Sequence, residues 1–301
     1  MVGRFRRSLS FPNKINPNRP VTKPPISYHI RSVSLPCRSH PLVSQLKDEI
    51  TELKSWVSKP DTRTSAWLCD GLSRLKNVID YLDDILQLPQ AQETLRQRCQ
   101  SLWVEKLLED FLRFVDVYGI FRTSVLALKE VQSAAQVAMR KRDESKVVSY
   151  VKSRKQMAKE MGKLVSTVRN VRVPARSESI SVGDAELMGV IGDVIEATVT
   201  VSVTLFNGIS ASFTSSKSSW VGLGLYKKTK KTKVEEGIAE FQQVGVEGLW
   251  GLRKKAEEEV RMALKKMQDM EVCIGDIENG SERVFRSLIN ARVSLLNALT
   301  Q

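Results

Sequence analysis

Apolar residues recur with helical spacing along most of this 301-residue chain, and this pattern constrains the fold more than any other feature. In the clearest run, the steps between apolar residues alternate between four and three. That spacing places the following residues on one face of an α-helix: Leu68, Leu72, Leu75, Ile79, Leu82 and Leu86. Leu88-Pro89 ends this helix, because the residue before a proline avoids the helical region.

Four further runs follow the same pattern. Residues 99–139 predict two helices or one bent helix, 147–168 predict one helix, 234–270 a long helix and 277–299 a last helix. The last helix is expected to follow a weak point at Asn279-Gly280. Together the runs predict an all-α fold, an elongated bundle of long antiparallel helices.

One uncharged segment, residues 197–216, departs from the pattern. The strict alternation from Val199 to Leu205 is typical of a half-buried strand, but a lone strand would have no partner to satisfy its backbone. A membrane span is a further alternative, although half of these residues are Ser, Thr or Asn. We therefore predict a buried helix over about 184–213, with these residues facing inward: Leu187, Ile191, Val194, Val201 and Leu205.

The N-terminal region is basic and rich in proline. Nine Lys and Arg residues precede the first carboxylate, Asp48. The sequence predicts a disordered Arg/Ser/Pro-rich leader over 1–41, followed by a helical bundle domain over 42–300 with a hinge at 171–183 and a basic loop at 214–233. A plastid transit peptide is the alternative interpretation of the leader.

Residues that carry catalytic or metal chemistry are scarce in the body of the chain. Both histidines, His29 and His40, lie in the leader, and the four cysteines are scattered without metal-ligand spacing. There is also no phosphate-binding glycine loop. We therefore expect no enzymatic activity, no catalytic residues, no metal and no cofactor, in an intracellular, cytoplasmic protein.

The leader contains the hexapeptide pattern R-S-x-S-x-P twice, which resembles the phosphopeptide that 14-3-3 proteins recognise. Phosphate on the second serine would add about −1.5 to −2 charge and three acceptor oxygens. The alternative is a match that arises from biased composition. The predicted phosphosites are Ser10 and Ser34, and the accompanying motif residues are Arg7, Pro12, Arg31 and Pro36.

Two groups of lysines are candidate contacts to an anionic surface, either a membrane or an acidic protein. One group shares a helix face opposite a valine stripe, and the other follows several apolar residues. A solvated helix face and an exposed loop are the plain alternatives, and nucleic acid is disfavoured because no reading motif accompanies the charge. The residues are Lys152, Lys155, Lys159 and Lys163 in the first group, and Lys227, Lys228, Lys230, Lys231 and Lys233 in the second.

Four stretches, in order and spacing, carry a family resemblance: His29–Pro36 (HIRSVSLP), Leu82–Gln92 (LDDILQLPQAQ), Phe111–Gly119 (FLRFVDVYG) and Leu288–Asn297 (LINARVSLLN). They resemble a plant-specific domain-of-unknown-function family allied to the BYPASS-type developmental proteins. The resemblance implies an all-helical plant protein with no established enzymatic activity and a connection to root and shoot development.

These observations predict a non-enzymatic interaction or adaptor protein of plant development, whose docking is modulated by phosphorylation of the leader. The alternative is a peripheral membrane protein that binds anionic lipid through residues 197–233. The adaptor would be cytoplasmic, while the alternatives place the chain at the endomembrane or plasma-membrane periphery, or in the plastid.

Overall fold

The computed structural model describes residues 40–58, 63–171, 182–214, 237–244 and 254–300, all within one compact unit, Ser39–Gln301. These residues form helices and no strand, which confirms the all-α prediction. The helices are α1 (Pro41–Ser58), α2 (Ser65–Leu86), α3 (Pro89–Gln97), α4 (Leu102–Arg140), α5 (Glu144–Arg169), α6 (Val182–Phe213), α7 (Ala239–Gln243) and α8 (Glu257–Thr300).

The long helices close into a ring around one core. Helix α2 packs on α8, α8 on α4, α4 on α5 and α5 on α6. Helix α6 in turn contacts α2, and α1 packs against both α2 and α6. Helices α4 and α6 meet across the centre, where Tyr118 and Ser202 share a buried hydrogen bond of 2.9 Å. The ring of Phe206 packs against Tyr118 and Phe121, at centroid distances of 5.8 and 5.1 Å.

Helix α6 is the buried helix that the sequence predicted. The five residues expected to face inward are all buried. A helix accommodates the alternating threonines because the hydroxyls of Thr198, Thr200 and Thr204 donate to carbonyls four residues earlier, at 2.7 to 2.9 Å. Within the described chain, Gly183–Phe213 is the one helix long and apolar enough to cross a membrane, and 61% of its most apolar window is buried inside the bundle.

Several predicted boundaries were wrong. The stripe over 234–270 does not form one helix. Gly237 and Ile238 lie outside the five-residue α7, and residues 254–256 are not helical. Helix α8 begins instead where three acidic residues, Glu257 to Glu259, stabilise a helix N-terminus. The run over 99–139 is one continuous helix from Leu102, which leaves Cys99 outside it.

The domain limits also shift slightly. Helix α1 begins at Pro41, inside the predicted leader, and α6 begins at Val182, inside the predicted hinge. Residues 1–39 of the leader and 172–181 of the hinge lie outside the described residues, as does the basic loop beyond Thr214.

Glycines in two helices allow close packing rather than a break. Helix α8 runs straight through Asn279-Gly280, so the predicted weak point was wrong. A Cβ atom on Gly280 would lie 2.9 Å from Cδ1 of Leu72, so a larger residue would force this leucine side chain to shift. Gly71 is tighter still, since its Cβ would lie 2.3 Å from the ring of Trp56, which stacks on Trp67.

We expect Gly71→Ala to lower the free energy of unfolding by about 1–3 kcal/mol, because the added methyl group must displace the buried Trp56 ring. Gly162→Ala is the matched control, since nothing lies within 4 Å of its Cβ position. That change should raise the free energy of unfolding by up to about 1 kcal/mol through helix propensity. Urea unfolding measures both, and equal stability of the Gly71 variant and the native chain would contradict the packing described.

Candidate docking surface on helix α5

Helix α5 is held in place by one buried face. Its N-terminus is capped by the carboxylate of Asp143, which accepts a hydrogen bond of 2.9 Å from the backbone N–H of Ser145. Val147, Met161 and Val165 belong to the core, and α5 packs between α4 and α6. The opposite face of α5 is therefore left to solvent.

The structure brings four predicted contact residues together on that exposed face. Successive residues in an α-helix rise by about 1.5 Å, so the lysines stand about 4.5 to 6 Å apart along the axis. We call this set the lysine row: Lys152, Lys155, Lys159 and Lys163.

Most of the lysine row is not neutralised by its surroundings. Lys163 pairs with Glu160 at 3.0 Å. No carboxylate oxygen in the described part of the chain lies within 4.0 Å of the ammonium of Lys152, Lys155 or Lys159. The row therefore presents a strip of positive charge on a rigid helix.

Another basic residue of α5, Arg154, is buried and serves a different purpose. Its Nη2 donates a hydrogen bond of 2.7 Å to the carbonyl of Phe241, and its Nη1 donates to the carbonyl of Val244. The guanidinium lies over the ring of Phe213, 4.8 Å from its centroid. Burial lowers the pKa of Arg154, although the neighbouring Tyr150 opposes this shift. The same burial raises the pKa of Tyr150 to about 12.

Residues 237–244, which we call the α7 segment, are held by further contacts. The N–H of Ile238 donates to Oγ of Ser212 at 2.6 Å, and the carboxylate of Glu240 accepts from the backbone N–H and Oγ of Ser65, both at 2.8 Å. Phe241 stacks on Phe213 at a centroid distance of 5.0 Å. Arg154 thus completes a clamp that fixes the α7 segment against α5, α6 and the start of α2.

Sequence reasoning missed Arg154, although a signal was present. Position 154 lies three residues after Val151 and four before Ala158, so it falls in the apolar stripe of α5. A charged residue at a core position of a stripe indicates a buried group with dedicated partners. The leader residues Ser10 and Ser34 with their motif residues, and the lysines between 227 and 233, lie outside the described residues.

The described residues offer little for nucleophilic or metal chemistry. No group of three or more His, Cys, Asp or Glu side chains among them is placed to hold a metal ion. Burial, with Asp276 as a smaller contributor, raises the pKa of the Cys69 thiol to about 11. Burial also raises the pKa of Cys273. Both thiols stay protonated at neutral pH, whereas a nucleophilic cysteine needs a lowered pKa.

The packed helices define a helical-bundle protein, and the lysine row is an exposed feature of its surface. The family model described as Protein BPS1 matches residues 71–298, and the chain belongs to this BYPASS-type family. Membership implies a role in plant development. Comparison of the sequence with curated proteins found no match, and comparison with solved structures found none either.

We expect Arg154→Met to release the α7 segment, because the buried carbonyls of Phe241 and Val244 lose their donors. A hydrogen bond from a charged donor is worth about 1.5–3 kcal/mol, so the amides of Ile238 and Ala239 should exchange with solvent tenfold faster or more. Hydrogen exchange followed by mass spectrometry measures this. Lys155→Met, on the exposed face of the same helix, should leave both amides unchanged, and equal exchange in the two variants would contradict the clamp.

Proposed function

We propose that this chain is a non-enzymatic adaptor in plant root and shoot development, which docks acidic segments of partner proteins on the lysine row and is modulated by phosphorylation of its leader. The observation that carries the proposal is the exposed row on α5, in which three lysines have no described carboxylate partner. Family membership supports the developmental setting.

The spacing of the lysine row suits a helical partner. Carboxylates at positions i, i+4 and i+7 of an acidic helix repeat every 4.5 to 6 Å, roughly the repeat of Lys152, Lys155 and Lys159. Exposed ion pairs are worth only about 0.2–1 kcal/mol each. Docking by three or four pairs is consequently weak and reversible, and it falls as salt rises.

Regulation by the leader is supported by the repeated R-S-x-S-x-P pattern. Two phosphates would remove about 3 to 4 units of positive charge from a segment with no acidic residue before Asp48. The same groups would provide two phosphopeptide sites on one chain for a dimeric 14-3-3 protein, which raises avidity without new contacts.

The lysine row is tested with a fluorescent helical peptide that carries glutamates at i, i+4 and i+7. The triple variant Lys152→Gln, Lys155→Gln, Lys159→Gln should weaken binding of this peptide about 3- to 100-fold, the range that three exposed pairs supply. The matched control changes Lys254, Lys265 and Lys266 to Gln, three exposed lysines outside α5 with the same loss of charge. Equal losses in the two triple variants would overturn the proposal, because net charge alone would then explain binding.

The leader is tested by capture on 14-3-3 protein after treatment of the full chain with a basophilic kinase. Capture should need phosphate and should be abolished by Ser10→Ala with Ser34→Ala, while each single change should weaken it by losing bivalency. Capture of the unphosphorylated chain, or of the double variant, would contradict the regulatory role.

A peripheral membrane protein is the second candidate, and the apolar character of α6 favours it. The core holds Val201, Leu205 and Ile209, so residues 197–213 have few apolar side chains left for lipid. Lipid binding would then rest on the lysines between 227 and 233.

If this candidate is correct, the full chain binds vesicles of phosphatidylserine and phosphatidylcholine at low salt, and replacing the five lysines between 227 and 233 with Gln removes the binding. Absence of vesicle binding by the native chain would exclude it.

A further inference from the structure

The seam between α4 and α8 changes character along its length. The two helices run antiparallel, and in one half polar groups bridge them. Lys129 pairs with Glu278 at 2.5 Å, and Gln136 donates to Glu271 at 2.8 Å. Arg122 pairs with Glu282 at the end of this half.

Beyond the pair of Arg122 and Glu282 the seam becomes apolar. Gly119 lies opposite Phe285, since a Cβ atom on this glycine would be 3.4 Å from the Phe285 ring. The same antiparallel register places Val115 near Ile289 and Leu112 near Val293.

The apolar half of the seam is open to solvent. Leu112 is 43% exposed, Ile289 37% and Val293 46%. We call these three residues, with the partly buried Val115 and Phe285 beside them, the apolar strip. Three large apolar side chains exposed side by side on one seam are typical of an interaction surface.

The charges on the two borders of the apolar strip have opposite sign. On the α4 border Arg113 pairs with Glu109 at 2.6 Å, so the exposed Asp116 is the charge that this border keeps. On the α8 border Arg283 is exposed, and Arg286 shares the single carboxylate of Glu282 with Arg122, so this border keeps a net positive charge. The antiparallel register sets Asp116 and Arg286 at nearly the same height along the seam.

We propose that the apolar strip is the interface between two copies of this chain. Most soluble homo-oligomers are two-fold symmetric, so each surface meets itself. A two-fold axis parallel to the seam lays α4 of each copy on α8 of the other, and the acidic border then meets the basic border. A two-fold axis across the seam would bring like charges together, so charge complementarity selects the first arrangement.

The size of the apolar strip determines the strength of the dimer. From Leu112 to Gly119 the strip extends about 10 Å along α4. A standard interface buries about 800 Å² on each partner. The interface formed by the apolar strip is smaller than this unless the charged borders are buried with it. The expected species is a reversible dimer whose fraction rises with concentration.

Sedimentation velocity of the full chain over a wide concentration range tests the interface. The native chain should show a reversible dimer, and Leu112→Glu should raise the dissociation constant at least tenfold. Val272→Glu is the matched control, because Val272 is 67% exposed on α8 outside the strip. Circular dichroism checks that the variants fold. A native chain that stays monomeric at the highest concentration, or a dimer equally sensitive to both variants, would overturn the proposal.

A charge exchange tests the arrangement of the two copies. Asp116→Arg and Arg286→Asp should each weaken the dimer, because like charges then meet at both borders. An equimolar mixture of the two variants should form a mixed dimer of nearly native strength, since each border contact again joins opposite charges. If the mixture dimerises no more strongly than each variant alone, the arrangement with the axis parallel to the seam is wrong.

Discussion

The bundle depends on the contact that α4 and α6 make across its centre. Phe206 packs against Tyr118 and Phe121, and the buried hydroxyls of Tyr118 and Ser202 satisfy each other. Burial raises the pKa of Tyr118 far above its usual value, because the hydroxyl is removed from water. Because α5 packs between these two helices, their contact determines which face of α5 can reach solvent. The position of the lysine row follows from this packing.

Local patterns predicted the elements whose stripes meet the core directly. Helices α2 and α5 and the buried α6 follow from apolar spacing, and the lysine row follows from its place opposite the valines of α5. The alternation around Val201 favoured a strand locally, but the helix satisfies its backbone and threonine hydroxyls without a partner. Helix α1 was not predicted, although Val43, Leu46, Ile50 and Leu53 carry the same spacing of three and four residues. Helix α3 was not predicted because its nine residues include only two that are buried, too few to form a stripe.

Other features depend on contacts between distant parts of the chain, which no local pattern contains. The stripe over 234–270 has helical spacing throughout, yet Phe241 is buried on the α5 and α6 side while Val260 belongs to α8. Only the fold shows that Arg154 finds two carbonyls about 90 residues away. The apolar strip likewise joins residues from α4 and α8 that are far apart in sequence, so its exposure appears only once the antiparallel register is known.

The clamp on the α7 segment has a consequence for how the chain can vary. A Cβ atom on Gly237 would lie 2.8 Å from Cα of Ser212, so the backbones of α6 and of the α7 segment touch at this point. The hydrogen bond from Ile238 to Ser212 and the stacking of Phe241 on Phe213 hold the two backbones together there. The atom that this Cβ would meet belongs to the backbone of α6, which cannot turn aside as a flexible side chain could. Any side chain at position 237 would therefore push the α7 segment away from α6, so this position can vary only if the clamp is given up.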